Sequence, residues 1–267
     1  MKSSPLSHNP YLYSEQWLWS VRIYSFGSLI IEVAGRLIEQ PGKSQKKILE
    51  LLATLVILGG RNISVDQLAE ILWPDTEGDL ARQSLATALH RLRKLIGKEA
   101  VILNSGMVSL NDSHCWLDLW VFEVTMDELE NVLRRSDRQA HVIIKLTDHL
   151  LKLYRDTFLK NYDSGLAILK QEQLLNRLCH LLDLSVDFHE QQGEDRRACL
   201  LLEKELELKP LVEANYRRLM SHYIHLGQSG HALHIYQRCQ RIIHKGFQIS
   251  LSEEIQRLAK QLQPNER

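Results

Sequence analysis

The chain has 267 residues, enough for two modest domains, and 44% of them are hydrophobic, which is sufficient for buried cores. Lysine plus arginine equals aspartate plus glutamate at 33 each, so the composition excludes a protein that coats nucleic acid through bulk positive charge, while a local basic face stays compatible with it. Glycine and proline are sparse, at 13 and 6 residues, which argues against a many-turned β protein and favours helices.

The placement of the cysteines and the hydropathy of the chain indicate in which cellular compartment the protein is expected. The 4 cysteines are isolated from one another and form no CxxC pair, as is typical of thiols in a reducing cytosol. The N-terminal residues lack the apolar core of a signal peptide, and the longest apolar run, 51–58, is too short to span a bilayer. We therefore expect a cytoplasmic protein that does not contact a membrane.

The N-terminal part of the chain predicts an arm, a small sheet and a first helix. Residues 1–20 are interpreted as an arm. The short alternating runs that follow, VRIYSFGSLIIEV from Val21 and RLIE after a turn at Gly35, predict two or three antiparallel strands. A helix is predicted to start at Lys43 and to stop at Gly59-Gly60.

Two further helices are predicted on either side of an acidic loop. Ser64 can cap a helix from Val65 to Leu72, and the loop PDTEGD leads into a second helix over 79–98. This second helix has apolar residues at three- and four-residue spacing along one side and arginine, glutamine, serine, threonine and lysine on the other. Such side chains bind phosphates and base edges in the major groove of DNA, so this helix is predicted to read DNA.

A hairpin completes the first predicted domain. Apolar runs on both sides of Asn104-Ser105-Gly106 predict a β-hairpin over Ala100 to Leu110. A short helix, a loop, a basic-faced helix and a hairpin is the element order of a winged helix-turn-helix, whose hairpin wing contacts the flanking DNA backbone. We therefore predict a winged helix DNA-binding domain of the α+β class over 21–117.

The predicted DNA contacts divide into two sets. Base reading is assigned to the polar positions opposite the buried leucines, namely Gln83, Ser84, Thr87 and Arg91. Phosphate contacts are assigned to the rim of the same helix, the start of the first helix and the wing, namely Arg82, His90, Arg93, Lys94, Lys43, Ser44, Asn104 and Ser105. Arg93 has an alternative interpretation, an ion pair with an acidic residue of the same domain.

The second half of the chain is predicted to be all-α. Amphipathic helices are predicted at Val121 to Ser136, Ala140 to Tyr154, Gly165 to Gln191, Asp195 to Leu208, Leu211 to Leu226 and Gly230 to His244, with a last one capped by Ser252. Four residues are matched 34 positions later: Gly193, Ala198, Leu201 and Leu202 by Gly227, Ala232, Ile235 and Tyr236. This period is typical of tetratricopeptide-like helix pairs. We predict a helical repeat domain over 118–267, with an ordinary helical bundle as the alternative, and a mainly α chain.

Several motifs of the two predicted domains occur in one combination. They are FGSL at Phe26 to Leu29, LWP at Leu72 to Pro74, the pattern Arg82, Leu85, Leu89, Arg91-Leu92-Arg93 and Gly97, the pair Asp118 and Phe122, and ELKPLVEANYRRLMSHYIHLGQSGHALHIY at Glu207 to Tyr236. The combination resembles bacterial activators of the antibiotic-regulatory-protein type, which join a response-regulator-like winged helix to a helical bacterial transcriptional activator domain. The chain departs from that family at KGFQISLSEE after the last repeat helix and near Ile168, where a tryptophan is expected.

The resemblance implies a transcriptional regulator, an activator that binds repeated sites on double-stranded DNA and contacts RNA polymerase. It also implies that the acidic loop with Asp75, Glu77 and Asp79 faces the polymerase. The alternative is a solvated loop whose acids stabilise the N-terminus of the following helix. We expect the helical domain to mediate homodimerisation or to receive a signalling partner.

The sequence shows no catalytic or cofactor motif. It contains no Ser-His-Asp set, nucleophile elbow or complete phosphate-binding loop, so we predict no enzyme activity and no cofactor. His222, His225, His231 and His234 cluster across a repeat turn, but no carboxylate or cysteine completes a metal-ligand spacing, so they are interpreted as solvated or partner-facing. The alternative function is a non-enzymatic interaction scaffold with a degenerate winged helix.

Overall fold

A computed structural model describes residues 19–38 and 46–262. These residues form two compact units. The first unit runs up to Thr125 and also includes His149–Leu174, whereas the second unit consists of Met126–Asp148 and the chain from Leu175 onwards. Most of the predicted arm, together with Lys43 and Ser44, lies outside the described residues. The domains predicted from the sequence, 21–117 and 118–267, are continuous stretches of chain, whereas each unit combines two stretches. The predicted domain boundary stays a prediction.

The element order confirms a mainly α fold with an N-terminal winged helix. The N-terminal elements are β1 (Val21–Tyr24), β2 (Ile30–Val33), β3 (Arg36–Leu37), α1 (Lys46–Ile57), β4 (Ile63–Ser64), α2 (Val65–Leu72), α3 (Gly78–Ile96), β5 (Val101–Asn104), β6 (Met107–Leu110) and β7 (Cys115–Leu117). The helices that follow are α4 (Asp118–Leu133), α5 (Ala140–Leu153), α6 (Gly165–Gln191), α7 (Asp195–Leu208), α8 (Glu213–His225), α9 (Ser229–Cys239) and α10 (Glu253–Leu262). None of the helices within 19–38 and 46–262 combines the length and apolar character needed to cross a lipid bilayer.

The N-terminal strands form a sheet in the order β3-β2-β1-β7, in which only the outer pair β1 and β7 runs parallel. Asp118, the first residue of α4, fixes this sheet to the helix. Its carboxylate accepts hydrogen bonds from the Ser25 backbone at 2.8 Å, from the Ser25 hydroxyl at 2.5 Å and from the Phe26 backbone at 3.1 Å. Burial raises the pKa of this carboxyl, while the three hydrogen bonds oppose the rise. Phe122 packs on Phe26, with ring centroids 4.5 Å apart.

The segment after α5 adds backbone pairing to the first unit. The backbone N–H of Gly27 donates to Thr157 at 3.1 Å, and the N–H groups of Leu159 and Lys160 donate to Ser25 at 2.7 Å and to Gly27 at 3.0 Å. Phe158 is buried and contacts Phe26 edge to face, with ring centroids 5.9 Å apart. Residues far apart in the sequence therefore complete one core.

The three-helix core of the winged helix follows the predicted apolar pattern. Leu51, Leu52 and Leu55 of α1 are fully buried, and α2 begins at the predicted Ser64 cap, whose hydroxyl accepts from the Asp66 backbone at 3.2 Å. Helix α1 ends before a turn at Gly60, where φ is +72° and a Cβ atom would lie 3.1 Å from the Trp120 ring. Glycine is therefore required there both by the backbone conformation and by the neighbouring indole.

The wing is a three-stranded antiparallel sheet in the order β4-β6-β5. Its turn residues, Ser105 and Gly106, have φ of +48° and +74°, the signs that a two-residue type I′ hairpin turn requires. The hairpin prediction around Gly106 is confirmed.

The second unit contains the predicted helical repeat. Gly193 and Gly227, 34 residues apart, have φ of +71° and +70°. The residue after each glycine donates its N–H across the turn, Glu194 to His189 at 2.9 Å and Gln228 to Tyr223 at 2.7 Å. Both repeat alanines, Ala198 and Ala232, are fully buried. The residues that repeat in the sequence thus form two equivalent turns, each between a pair of consecutive helices.

The helix predicted over 230–244 differs from the structure in its second half. Helix α9 ends at Cys239, and residues Gln240–Lys245 form a π-helical segment. The last helix is held by polar contacts to α8, since the Ser252 backbone donates to Glu213 at 3.2 Å and Arg217 pairs with Glu254 at 2.7 Å. Leu251 and Ile255 are buried, which gives the divergent segment after Lys245 a packed end.

Candidate nucleic-acid interface

Helix α3 has two chemically different sides. Leu85, Leu89, Leu92 and Ile96 are buried to 3% exposure or less, which anchors the helix in the first unit. On the opposite side Gln83, Thr87, His90, Arg91 and Lys94 are exposed and Ser84 is half-buried. These six residues are called the exposed face of α3. After Asp79 the helix carries no acidic side chain, so this face is polar and positive.

The predicted base-reading side chains are in register along the exposed face. Gln83, Thr87 and Arg91 are four residues apart, which stacks them along the helix. The Thr87 hydroxyl donates to the Gln83 carbonyl at 3.1 Å, so its oxygen lone pairs and methyl group point outward. Among residues 19–38 and 46–262, neither the Gln83 amide nor the Arg91 guanidinium has a hydrogen bond or ion pair to another side chain.

Arg82 is engaged within the first unit. Its Nε lies 2.7 Å from a carboxylate oxygen of Asp66 on α2, and a second guanidinium nitrogen lies 3.4 Å from Asp79. The hydrogen bond and the charge of Asp66 raise the pKa of the Arg82 guanidinium. This residue therefore joins the start of α3 to α2.

Arg93 also has an internal partner, although not the acidic one considered from the sequence. Its Nε donates to the Val101 carbonyl at 3.1 Å, which connects α3 to the first strand of the wing hairpin. Arg93 also lines an open groove of about 600 Å³ together with His90, Lys94 and Lys98. Lys98 was not assigned a DNA contact from the sequence, and in the structure it lies just beyond the Gly97 C-cap of α3.

The wing presents polar and apolar atoms together. Asn104 and Ser105 are exposed at its tip, where the Ser105 hydroxyl donates to the Asn104 side-chain oxygen at 3.2 Å. Ile102, Leu103 and Met107 are also exposed, by 43%, 47% and 43%. This apolar part of the wing was not predicted, since strand alternation alone places every second residue inward.

The acidic loop before α3 is solvent-facing. Asp75, Glu77 and Asp79 are all exposed. Glu77 is the N-cap residue of α3, but its side chain makes no capping hydrogen bond. Near the base of the same loop, Lys47 donates to the Leu72 carbonyl at 2.6 Å and lies 4.9 Å from the Trp73 ring centroid, which ties the start of α1 to the end of α2.

A winged helix with a positive exposed helix face, followed by tetratricopeptide-like repeats, is therefore the architecture of this chain. The model of the family described as the bacterial transcriptional activator domain matches residues 117–263. The chain belongs to this family, since the match spans more than half of its residues.

Two known proteins are similar to it. The regulatory protein AfsR of Streptomyces griseus is 22% identical over 213 residues, which cover 79% of this chain and 22% of AfsR. The solved structure of Mycobacterium tuberculosis EmbR in complex with a low-affinity phosphopeptide matches with a TM-score of 0.63 and 19% identity, over 92% of this chain and 66% of EmbR. The chain thus spans about a fifth of the length of AfsR, and the EmbR match bears on the fold alone.

Proposed function

We propose that the protein is a transcriptional activator that binds double-stranded DNA sequence-specifically through α3 and the wing, without catalysing a reaction. The observation that carries the proposal is the exposed face of α3, where unpaired Gln83 and Arg91 side chains stand opposite a fully buried leucine stripe. A helix that is anchored by a buried side and presents unpaired hydrogen-bonding groups can insert into the major groove without first breaking hydrogen bonds or ion pairs within the protein.

The proposed roles follow the surroundings of each side chain. Gln83, Ser84, Thr87 and Arg91 read base edges, with Arg91 suited to a bidentate contact with guanine. His90, Lys94 and Lys98 bind phosphates beside the groove, as do Asn104 and Ser105 at the wing tip and Lys43 and Ser44 before α1.

Two arginines have mixed roles in this proposal. Arg82 chiefly positions α3, because two carboxylates already hold its guanidinium. Arg93 has one nitrogen on a backbone carbonyl and offers the others to a phosphate.

The partners of the other surfaces rest on family membership. We infer that the acidic loop contacts RNA polymerase and that the helical repeats mediate homodimerisation or receive a signalling partner. Exposure of Asp75, Glu77 and Asp79 is compatible with a protein contact. Replacing Asp75 and Glu77 with lysine is expected to reduce transcription in vitro without changing affinity for the promoter fragment.

The decisive experiment selects bound fragments from the source genome and compares variants on the best fragment by fluorescence anisotropy. The double variant Thr87→Ala/Arg91→Ala is expected to lose specific binding, since each base-reading side chain contributes about 1–3 kcal/mol. Arg257→Ala, an exposed arginine of α10, is the matched control and should bind like the wild type.

The same measurement separates the interaction-scaffold alternative. Phosphate contacts release counterions, so log affinity for DNA should fall linearly with log salt concentration. Specific binding by the double variant would contradict the assigned roles, and a wild-type protein with no salt-dependent DNA affinity would favour the scaffold.

A further inference from the structure

The four histidines that cluster in the sequence have different surroundings in the second unit. His222 and His225 lie three residues apart in the last turn of α8, next to Asp195 in the first turn of α7. His231 stacks on Tyr223 with ring centroids 5.3 Å apart, and His234 is exposed. The carboxylate that is missing from the local spacing is supplied 27 residues upstream, by the helix on the other side of the repeat joint.

We propose that Asp195, His222 and His225 bind one divalent transition-metal ion with the preferences of Zn²⁺. One ligand atom from each residue, a carboxylate oxygen and two imidazole nitrogens, lies within 4.8 Å of the others. Histidine nitrogen and carboxylate oxygen are the donor set that Zn²⁺ accepts, and two histidines at a three-residue helical spacing lie on one face.

The three donors need only small shifts to enclose an ion. Zinc bonds of about 2.1 Å in tetrahedral geometry place ligand atoms about 3.4 Å apart. The Asp195 oxygen is 2.7 Å from His222 Nδ1 and 4.0 Å from His225 Nδ1, so one separation opens and the other closes by less than 1 Å. The His225 side chain is 69% exposed, which leaves a coordination position open to water.

Glu190 fixes the imidazole of His222 from the opposite side. His222 Nε2 lies 2.8 Å from a Glu190 oxygen, while the side chain is only 9% exposed. A carboxylate that accepts the second ring N–H holds the tautomer whose Nδ1 faces the ion and increases the basicity of that nitrogen. Glu190 is in turn held by Arg218, whose Nε donates to it at 3.0 Å.

The charges around the site favour a cation. Arg218 pairs with Asp183 at 2.6 Å and with Asp187 at 2.5 Å in addition to Glu190. Three carboxylates thus share one guanidinium, and the fourth carboxylate, that of Asp195, contacts the two histidine rings. A bound divalent ion would offset this excess of negative charge and would join the first turn of α7 to the last turn of α8, two helices of the second unit.

The test uses the untagged full chain after treatment with a chelator, titrated with ZnCl₂ by calorimetry and followed by thermal unfolding. We expect one ion per chain, and a Tm that rises by roughly 5 °C or more when free Zn²⁺ is about 100 times Kd. Mg²⁺ should have no comparable effect, because it prefers oxygen ligands.

Single substitutions locate the ion. His225→Ala and Asp195→Asn are each expected to weaken Zn²⁺ binding by at least about tenfold, since each removes one of three ligands. His234→Ala, an exposed histidine on the next helix, is the matched control and should leave the titration unchanged. Circular dichroism before metal addition verifies that each variant is folded, and because the His225 side chain is exposed its removal should not unfold the protein.

Two results would overturn the proposal. If Zn²⁺ fails to shift the Tm of the wild type, His222 serves only to bridge Glu190 and Asp195 through hydrogen bonds. If His234→Ala weakens binding as much as His225→Ala, the ion is held by scattered surface histidines.

Discussion

Polar side chains on the exposed face of helix α3 and those in the second unit differ in whether they have hydrogen-bond or ion-pair partners. On the exposed face of α3 the Gln83 and Arg91 side chains have no partner among the described residues. In the second unit Arg218, with a side chain 20% exposed, binds three carboxylates, and His222 has a carboxylate on each ring nitrogen. Paired, half-buried groups stabilise the fold, whereas exposed unpaired groups are available to a partner.

The largest expected effect is at Glu205, a polar residue of the second unit that is buried and only partly paired. It is 3% exposed, one carboxylate oxygen accepts from Asn215 at 2.6 Å, and the other has no hydrogen-bond partner in the part of the chain that the structure describes. Burial, together with the negative charge of Asp183, raises the pKa of Glu205 to about 7. The folded protein therefore holds a proton that the unfolded chain has already released near its ordinary pKa of 4.5.

It follows that the free energy of unfolding falls as the pH rises from about 5 to about 8, by at most about 3 kcal/mol from this residue. Glu205→Gln keeps an acceptor for Asn215 and removes the charge, so it should stabilise the protein at the higher pH and not at the lower. Urea denaturation at both pH values measures the difference. An equal effect of the substitution at both would show that Glu205 is not protonated in the folded state.

Arg218→Ala is the next largest change. It leaves the carboxylates of Asp183, Asp187 and Glu190 without their shared cation, and we expect a loss of about 2 kcal/mol in the free energy of unfolding, between the values for exposed and buried ion pairs. DNA affinity below the Tm should be unchanged, because the second unit is not assigned to DNA. Arg257→Ala again serves as the control, and a loss of stability as large as that of Arg218→Ala would contradict the structural role.

Arg82 and Arg91 form a matched pair on one helix. Arg91→Ala should reduce affinity for the selected fragment by about tenfold or more and leave the Tm unchanged, since its guanidinium is unpaired. Arg82→Ala should instead lower the Tm, because it breaks the contacts to Asp66 and Asp79. Anisotropy and thermal unfolding on both variants test the distinction, which fails if the two arginines affect binding and stability in the same proportion.

Lys94→Ala should give the smallest effect. A phosphate contact weakens binding to every sequence alike and reduces the slope of log affinity against log salt by about 0.9. Titrations of the selected fragment and of a scrambled one over a series of salt concentrations measure both quantities. A change confined to the selected fragment would place Lys94 among the base-reading residues.

Local sequence signals predicted the positions of the secondary-structure elements better than they predicted the side-chain contacts between those elements. The bounds of α2, α6 and α7 agree with the predicted ones, because Ser64, Gly193 and the apolar spacing act within a few residues. The exposed side of α3 followed from the same periodicity. The partners of Arg82 and of His222 could not be predicted, since Asp66 and Asp195 lie 16 and 27 residues away and meet them only after the helices pack. The π-helical segment after Cys239 has no sequence signal that we recognise.

Backbone pairing of residues 157–160 with Ser25 and Gly27 determines when, during synthesis, the first unit can finish folding. A nascent chain that has emerged from the ribosome only as far as the wing already contains α3 but lacks Phe122 and Phe158, whose rings pack on Phe26. The unit that holds the candidate DNA interface can therefore reach its final packing only after residues 157–160 have been translated. Expression of residues 21–117 alone would leave Phe26 without both rings.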